Sequence, residues 1–413
     1  MPVDHEEAPK GLFAAERAGI SSTELVVMIA GLMALNALAI DIMLPALPAL
    51  GADLGVADPN HRQYVVMVYV FGLGAAQLIV GPISDRFGRR MPLVLSLVGY
   101  ALCGLGCVFA DTFTQMLVAR GFQGVAASGA RVISLSIVRD VTSGRSMAKL
   151  MSLVMMVFMA VPILAPNIGQ LILLVASWRW TFGVLVVFGF GMALWVGLRL
   201  RETLPLESRA QVRMRSLLRA YKRVLTTRVT AGYMLAAGVI FGALFAFISS
   251  SEQLFVGVFE KQETFTLYFA GVAAGMAVSS FVNARLVERL GMRRLSHAAV
   301  LAFVCFSGAY VTALHFGVDG FIPFYAAMIL SFFCFSMIGA NFNALAMEPL
   351  GDIAGTASSA LGFSATLLAG ALGAVIGQSF DGTVMPIAQG FLALGVVTLA
   401  IVLVTERGRL LRA

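Results

Sequence analysis

The sequence predicts an all-α membrane protein with twelve transmembrane helices in two six-helix bundles related by pseudo-two-fold symmetry. Of its 413 residues, 59% are hydrophobic and only 12% are charged, whereas a soluble chain carries about a quarter charged residues. The apolar residues fall into twelve stretches of about 20 residues, the length of a membrane-spanning helix. Two similar charged turns, half a chain apart, indicate an internal repeat.

Each predicted bundle contains six spans. The N-terminal bundle, 24–200, has spans at 24–46, 62–83, 91–110, 113–138, 147–173 and 180–200. The C-terminal bundle, 229–405, has spans at 229–251, 264–286, 296–316, 321–346, 357–380 and 386–405. A cytoplasmic tail over 1–23, a basic cytoplasmic linker over 201–228 and a cytoplasmic tail over 406–413 complete the chain. We expect Pro45 and Pro48 to end the first span, and the fifth span to be interrupted by Pro162, Pro166 and Gly169.

The segment Gly81 to Arg90, G-P-I-S-D-R-F-G-R-R, lies between the second and third spans and predicts a tight turn. Its glycines permit close backbone approach and positive φ. Asp85 can pair with Arg86, Arg89 or Arg90. A weaker copy at 283–294, N-A-R-L-V-E-R-L-G-M-R-R, places Glu288 203 residues after Asp85. Such a repeat is typical of secondary transporters.

The distribution of basic residues predicts the topology. Of the 29 lysines and arginines, 24 fall in the loops and tails on the side of the termini. Only three, Arg62, Arg179 and Lys261, fall on the other side. This asymmetry places both termini in the cytoplasm and explains the net charge of +7 without nucleic acid as a partner.

Three charged residues stand out well inside the predicted spans, away from their ends, where a charge costs at least about 2.5–3.5 kcal/mol. Asp41 is roughly 8–13 Å below the outer surface and Arg120 about 10 Å, so the two side chains can approach one another. A carboxylate at this depth is a member of a static buried ion pair, a helix-end residue, or a titrating group in a water-filled cavity. In the last case a proton and a cationic substrate compete for its charge. Arg131 is about 16.5 Å beyond Arg120 on the same helix face, where it lines the cavity or braces a gate.

Neutral polar and aromatic side chains complete the candidate cavity. The polar candidates besides Arg131 are Gln123, Asn36, Asn167, Asn341 and Asn343. The aromatic candidates are Phe241, Phe245, Tyr268 and Phe335. Because the C-terminal half shows no acid within a span, we expect ion coupling in the N-terminal half and a softer, partly aromatic wall in the other.

The chain resembles the major facilitator superfamily and, within it, the twelve-span drug:proton antiporters of the Bcr/CflA type. The resemblance rests on the Gly81–Arg90 loop, on Leu117, Arg120, Gln123, Gly124 and Gly129 in the fourth span, and on the D-x-x-L-P-x-L-P motif from Asp41 to Pro48. Ala165, Pro166 and Gly169 match the fifth-span antiporter motif in part, since Asn167 and Gln170 break its glycine run.

The resemblance implies residue roles. Asp41 and Arg120 would couple proton and substrate, and Pro162, Pro166 and Gly169 would form the bend of the antiporter motif. Asp85, Arg86, Arg89 and Arg90 would belong to a cytoplasmic charge relay, with Asp140 as a further member. The resemblance also implies a monomer in the bacterial inner membrane that exports small amphipathic compounds with the proton gradient as its energy source and no cofactor.

Two other functions are weighed against this one. A carrier for one metabolite, such as a nucleoside, sugar or amino-acid derivative, has the same sequence features. A membrane-embedded enzyme is disfavoured, because His5, His61, His297 and His315 form no metal-ligand spacing or nucleophile–base pair and no P-loop occurs. We therefore expect no catalytic residue and no metal site.

Overall fold

The computed structural model describes residues 18–142, 144–209 and 214–411. The expected N-terminal tail, except for residues 18–23, lies outside these ranges, as do residues 210–213 of the linker and 412–413 of the C-terminal tail. The described residues form fourteen α-helices. These are α1 (Ser22–Asp41), α2 (Leu47–Asp53), α3 (Tyr64–Phe87), α4 (Arg90–Val108), α5 (Phe113–Val141), α6 (Gly144–Val175), α7 (Arg179–Arg199), α8 (Met214–Thr226), α9 (Arg228–Glu252), α10 (Phe265–Leu290), α11 (Met292–His315), α12 (Phe321–Met347), α13 (Ala354–Gln378) and α14 (Met385–Thr405).

These helices confirm the predicted membrane fold. Among the described residues, eleven segments are long and apolar enough to cross a bilayer. The predicted fifth span corresponds to α6, which contributes a shorter apolar stretch at Ala160–Val175. The first span combines α1 and α2, and α8 belongs to the linker between the halves.

The two halves repeat the same helix packing. In the first half α1 packs on α6, α3 on α5 and α4 on α7. The equivalent pairs in the second half are α9 with α13, α10 with α12 and α11 with α14. Between the halves, α3 packs on α13 and α6 on α10, which are again equivalent pairs. This pattern is the predicted pseudo-two-fold arrangement of two bundles.

The first span is longer than expected. After α1 ends at Asp41, a 3₁₀ turn at Leu44–Ala46 leads directly into α2, so helical structure reaches Asp53. The prediction that Pro45 and Pro48 end the span near residue 46 is wrong. Each proline stands in the first turn of a new helical segment, where its missing N–H would have no intrahelical partner anyway.

The charged turn is shorter than expected. The helix α3 continues to Phe87 with Pro82 inside it, and α4 begins at Arg90, so only Gly88 and Arg89 connect them. Gly88 has φ +93°, a conformation that favours glycine. Gly291, 203 residues later, has φ +78° between α10 and α11. The repeat seen in the sequence is therefore a repeated backbone turn.

The expected interruption of the fifth span is absent. The helix α6 runs through Pro162 and Pro166 without a break. A spanning helix tolerates proline when side chains satisfy the backbone groups that it frees. Asn167 adds a local hydrogen bond in this segment, because its side-chain amide donates to the Ile163 carbonyl at 2.7 Å.

Both described ends lie on one side of the molecule, here called the terminus side. The Ala18 carbonyl accepts a hydrogen bond of 3.0 Å from the backbone N–H of Arg201, at the start of the linker. The Leu411 carbonyl accepts one of 3.1 Å from Arg294, at the start of α11. The opposite side, which carries the turns after α2, α4, α6, α9, α11 and α13, is called the far side.

Candidate functional site

Asp41 lies at the break in the first span. It is the last residue of α1 and its side chain is only 3% exposed. Its Oδ1 atom has no hydrogen-bond partner in the described part of the chain. A buried carboxylate without partners is costly, so the fold keeps a group here that packing alone does not explain.

Arg120 is fully buried in α5, where three hydrogen bonds and the rings of Tyr69 and Phe182 hold its guanidinium. Its guanidinium donates to the Val65 carbonyl at 3.1 Å, to the Ala39 carbonyl at 3.1 Å and to Gln123 Oε1 at 2.8 Å. It also lies 4.3 Å from the centroid of the Tyr69 ring. These contacts fix the position of its charge between α1, α3 and α5.

Asp41 and Arg120 occupy one region but form no ion pair, although both are described. Arg120 reaches the first span through the backbone of Ala39, two residues before Asp41. The structure brings Arg120 against the first span at Ala39, and the approach of its charge to the Asp41 carboxylate stays a prediction. The carboxylate stays available because the guanidinium is engaged elsewhere.

Two amides extend this polar region and each keeps an unused donor. Asn36 accepts a hydrogen bond from the Tyr69 hydroxyl at 3.1 Å, and Gln123 accepts the one from Arg120. The Nδ2 atom of Asn36 and the Nε2 atom of Gln123 are buried without partners among the described residues. The region around Arg120 and Tyr69 thus contains two buried amide donors without partners.

Gly169 brings the fifth span against the break in the first. A Cβ at Gly169 would collide with the Ile42 carbonyl oxygen and would touch the Pro45 ring at 3.5 Å. Glycine is therefore required for the close approach of α6 to the residue that follows Asp41. This contact places the fifth-span motif beside the candidate carboxylate.

Arg131 is half-buried in α5, and no hydrogen bond or ion pair engages its side chain in the described ranges. Tyr69 is within electrostatic reach of both Arg120 and Arg131. This shared neighbour agrees with the expectation that the two arginines lie on one face of α5.

The remaining polar candidates make local contacts. Asn341 is buried and donates to Asn283 Oδ1 at 2.7 Å, which ties α12 to α10. Asn343 is exposed, and its amide donates to the Gly339 carbonyl of its own helix at 3.0 Å. Asn167 likewise turns back on α6.

Three of the four aromatic candidates belong to one network of ring contacts in the C-terminal half. Phe241 and Phe335 meet with ring centroids 5.0 Å apart. Tyr268 contacts Phe321 at 4.6 Å and Tyr325 at 5.1 Å. Ring contacts through Phe332, Phe247 and Phe255 join Phe335 to Tyr268. Phe245 packs against Gly373 of α13.

Arg89 is the centre of the charge cluster on the terminus side. Its guanidinium pairs with Asp140 at 2.9 Å, with Asp85 at 2.5 Å and with the Ser84 hydroxyl at 2.8 Å. The structure thus joins three of the five expected members. Arg90 instead donates to the Gly197 carbonyl, and Arg86 lies over its neighbour Phe87 at 5.4 Å.

Glu202 anchors this cluster to the linker. Its carboxylate accepts hydrogen bonds from the backbone N–H groups of Arg89 at 2.7 Å and Arg90 at 3.2 Å. These N–H groups stand at the start of α4, where an anion is favourable.

The second half contains a similar charge cluster, which the sequence analysis did not predict. Arg293, in the R-R pair of the repeated turn, binds Glu348 at 3.1 Å and Glu406 at 3.2 Å. Glu288, the acid of the repeated turn, is exposed. Adding the repeat offset of about 203 residues to Asp140 and Glu202 leads to the ends of the tenth and twelfth spans, where Glu348 and Glu406 lie.

The sequence reasoning also missed a set of amides that joins the halves on the far side. Gln63 donates to Gln253 Oε1 and to the Gly377 carbonyl at 3.2 Å. Gln253 donates to Asn60 Oδ1 at 2.7 Å, and Gln378 donates to the Asn60 carbonyl at 2.7 Å. We call Asn60, Gln63, Gln253 and Gln378 the far-side amide cluster.

Two symmetric helical bundles that meet around buried, unpaired charges define a secondary transporter of the membrane. The chain belongs to the Major Facilitator Superfamily, whose family model matches residues 29–377. This family consists of transporters, not enzymes. The expected fold, membrane embedding and small-molecule substrate follow from this membership.

Individual relatives agree with this placement. The chain is 32% identical over 360 residues to YdgK, an uncharacterised MFS-type transporter of Bacillus subtilis, covering 86% of this chain and 88% of the relative. It is 28% identical over 369 residues to a bicyclomycin resistance protein homologue of Haemophilus influenzae, covering 88% and 92%. A partially occluded inward-open structure of the E. coli xylose transporter XylE has the same fold, with a TM-score of 0.71 at 13% identity over 92% of this chain and 97% of that chain.

Proposed function

We propose that this transporter is a proton-driven antiporter that exports small amphipathic drugs or toxic compounds by alternating access. The observation that carries the proposal is the buried Asp41 carboxylate, whose Oδ1 atom lacks a partner although Arg120 lies in the same region. A charge inside a membrane bundle is a functional group by default.

The proposed exchange needs no covalent chemistry. With Asp41 ionised, a cationic substrate can bind the carboxylate. When Asp41 takes up a proton, the carboxyl group becomes neutral and no longer attracts that substrate. Proton and substrate therefore occupy Asp41 in turn as the halves rock.

The relatives support export as the direction of transport, and the charge distribution supports the proposed orientation in the membrane. A homologue of bicyclomycin resistance protein that matches 88% of this chain favours drug export. The basic residues of the linker and of the turns at Gly88 and Gly291 favour a cytoplasmic terminus side, so that the far side faces out of the cell. We place the protein, as a monomer, in a bacterial inner membrane.

A carrier for a single metabolite is the second candidate. It is favoured by the tight local pairing of Asn167, Asn341 and Asn343, which leaves fewer adaptable polar groups for varied ligands. A panel of drugs and metabolites in a substrate-induced proton-release assay separates the two functions.

The proposal is tested with Asp41→Asn in proteoliposomes with an imposed proton gradient. We expect the wild type to transport at least one of three test compounds, which are tetraphenylphosphonium, ethidium and bicyclomycin. The Asp41→Asn variant should show no gradient-driven transport of that compound. Asp111→Asn removes an exposed acid on the far side and serves as control. Full gradient-driven transport by Asp41→Asn would refute the coupling role.

A further inference from the structure

Glu252 is a second carboxylate buried without partners. It is the last residue of α9, the helix equivalent to α1, and it is 9% exposed. No hydrogen bond or ion pair engages its carboxylate within residues 18–142, 144–209 and 214–411. A π-helical turn at Gln253–Val258 follows it, a feature that is frequent at functional sites.

Glu252 faces a cavity between the two halves. This far-side cavity has a volume of about 580 Å³, which is within the range of small-molecule sites. The first half contributes α2, the end of α6 and the start of α7, and the second half contributes the residues around the π-helical turn. Its lining includes Asp53, Gln170, Glu252, Val256, Gln262 and Phe265.

Two other charged side chains that line the cavity, Asp53 and Arg179, are paired with each other. Asp53 also accepts a hydrogen bond from Trp178 Nε1 at 3.1 Å. Arg62 acts electrostatically on Glu252 but forms no ion pair with it. Lys261 lies over the Phe321 ring at 5.5 Å. Among the described residues that line the cavity, Glu252 is therefore the carboxylate without an ion pair, beside apolar side chains such as Val256 and Phe265.

The cavity is lined by chain segments that adjoin Asp41. Pro45, which lines the cavity, follows Asp41 by four residues. Gly169 contacts the Ile42 carbonyl and Pro45, and its neighbour Gln170 lines the cavity. The cavity therefore lies on the far-side flank of the break at which α1 ends.

We infer that the far-side cavity is a second binding site, which takes monovalent organic cations with an apolar body and holds them through Glu252. This inference rests on the proposed function, since it assigns a step on the exit route of the same substrates. It explains why both members of the equivalent helix pair, α1 and α9, end at a buried acid. A second carboxylate, placed after Asp41 on the exit route, lowers the electrostatic cost of moving a cation across the interface between the halves.

The site is tested by equilibrium binding of radiolabelled tetraphenylphosphonium to the full-length protein in lipid nanodiscs. The parent is Asp41→Asn, so that the Asp41 site does not contribute. We expect this parent to bind the probe, and the added Glu252→Gln to weaken binding by about tenfold or more. Neutral triphenylphosphine oxide should compete only weakly with the probe, and to the same extent in the Asp41→Asn parent and in the variant with the added Glu252→Gln.

Glu260→Gln is the matched control, because Glu260 is an exposed acid on the same side that does not line the cavity. We expect it to change binding by less than about twofold. Unchanged binding in Glu252→Gln, or an equal loss in Glu260→Gln, would overturn the site. If Glu252→Gln does not fold, Val256→Trp decides, since it fills the cavity and leaves the acid: lost binding supports the site and retained binding refutes it.

The outcome of this binding experiment does not depend on the role of Asp41 in proton coupling. Transport by Asp41→Asn tests the proposed function, whereas binding in the Asp41→Asn background tests only Glu252. A protein that binds the probe through Glu252 but transports without Asp41 would keep this site and lose the antiport proposal.

Discussion

The guanidinium of Arg120 donates to the backbone carbonyl of Ala39 at 3.1 Å, and the nearby Asp41 carboxylate is left without an ion pair. Arg120 and Asp41 therefore have separate roles, which a salt bridge between them would combine. Arg120 holds the end of α1 against α3 and α5, while Asp41 remains free to exchange ligands. A direct pair would have stabilised the ionised acid and competed with a cationic substrate.

Arg120→Ala should damage both stability and coupling more than Arg131→Ala does. Removal of Arg120 leaves the Val65 carbonyl, the Ala39 carbonyl and Gln123 Oε1 without their donor. At about 1–3 kcal/mol for each buried unsatisfied group, the loss is about 3 kcal/mol or more. Arg131 makes no hydrogen bond in the described ranges, so Arg131→Ala should leave the melting temperature unchanged. Thermal unfolding in detergent and substrate-induced proton release measure the two effects, and equal defects would contradict this prediction.

The pair of Arg89 with Asp140 should be stronger than that of Arg89 with Asp85. The Asp140 side chain is 16% exposed and the Asp85 side chain is 45% exposed, while Arg89 is 5% exposed. Water screens the exposed pair, which is worth at most about 1 kcal/mol, whereas the less exposed pair is expected to exceed that value. Double-mutant cycles on the free energy of unfolding, with alanine at each position, measure both couplings. A larger coupling for Asp85 would contradict the ranking.

The span positions could be predicted because bilayer thickness dictates a stretch of about 20 apolar residues. The repeat could be predicted because Gly88 and Gly291 need the same backbone turn. The predicted ends and interruptions of helices at prolines were wrong. Pro48 can start a helix as well as end one, so the continuation into α2 was not visible in the sequence.

The contacts between the halves could not be predicted, because they join residues 190 to 318 positions apart, such as Gln63 with Gln253 and Asn60 with Gln378. Glu252 was overlooked for a related reason. It stands at the end of an apolar stretch, where a carboxylate normally reaches water, and only the packing of the two halves buries it.

Gly169→Ala should impair transport while the chain still folds. The added methyl group would overlap the Ile42 carbonyl oxygen, so α6 must move away from the residue after Asp41. Such overpacking costs about 1–3 kcal/mol. Gly191→Ala in α7 is the control, because a Cβ there meets nothing within 4 Å. We expect reduced transport per folded protein for Gly169→Ala alone; wild-type transport by that variant would show that the close approach is not needed.

Gln253→Ala should open the far side more often. Gln253 accepts from Gln63 and donates to Asn60, so its removal breaks two hydrogen bonds between the halves. At about 1 kcal/mol each, this loss shifts the equilibrium by roughly tenfold or more toward separation of the halves on that side.

The opening is measured by the rate of maleimide labelling of a single thiol. Ala49→Cys introduces this thiol in the lining of the far-side cavity, after the four native cysteines are replaced by alanine. Glu260→Gln, an exposed side chain on the same side that does not line the cavity, is the control. Faster labelling in Gln253→Ala alone is the expected result, because only that change removes contacts across the interface. Equal rates in the two variants would mean that other contacts, such as the packing of α3 on α13, keep the far side closed.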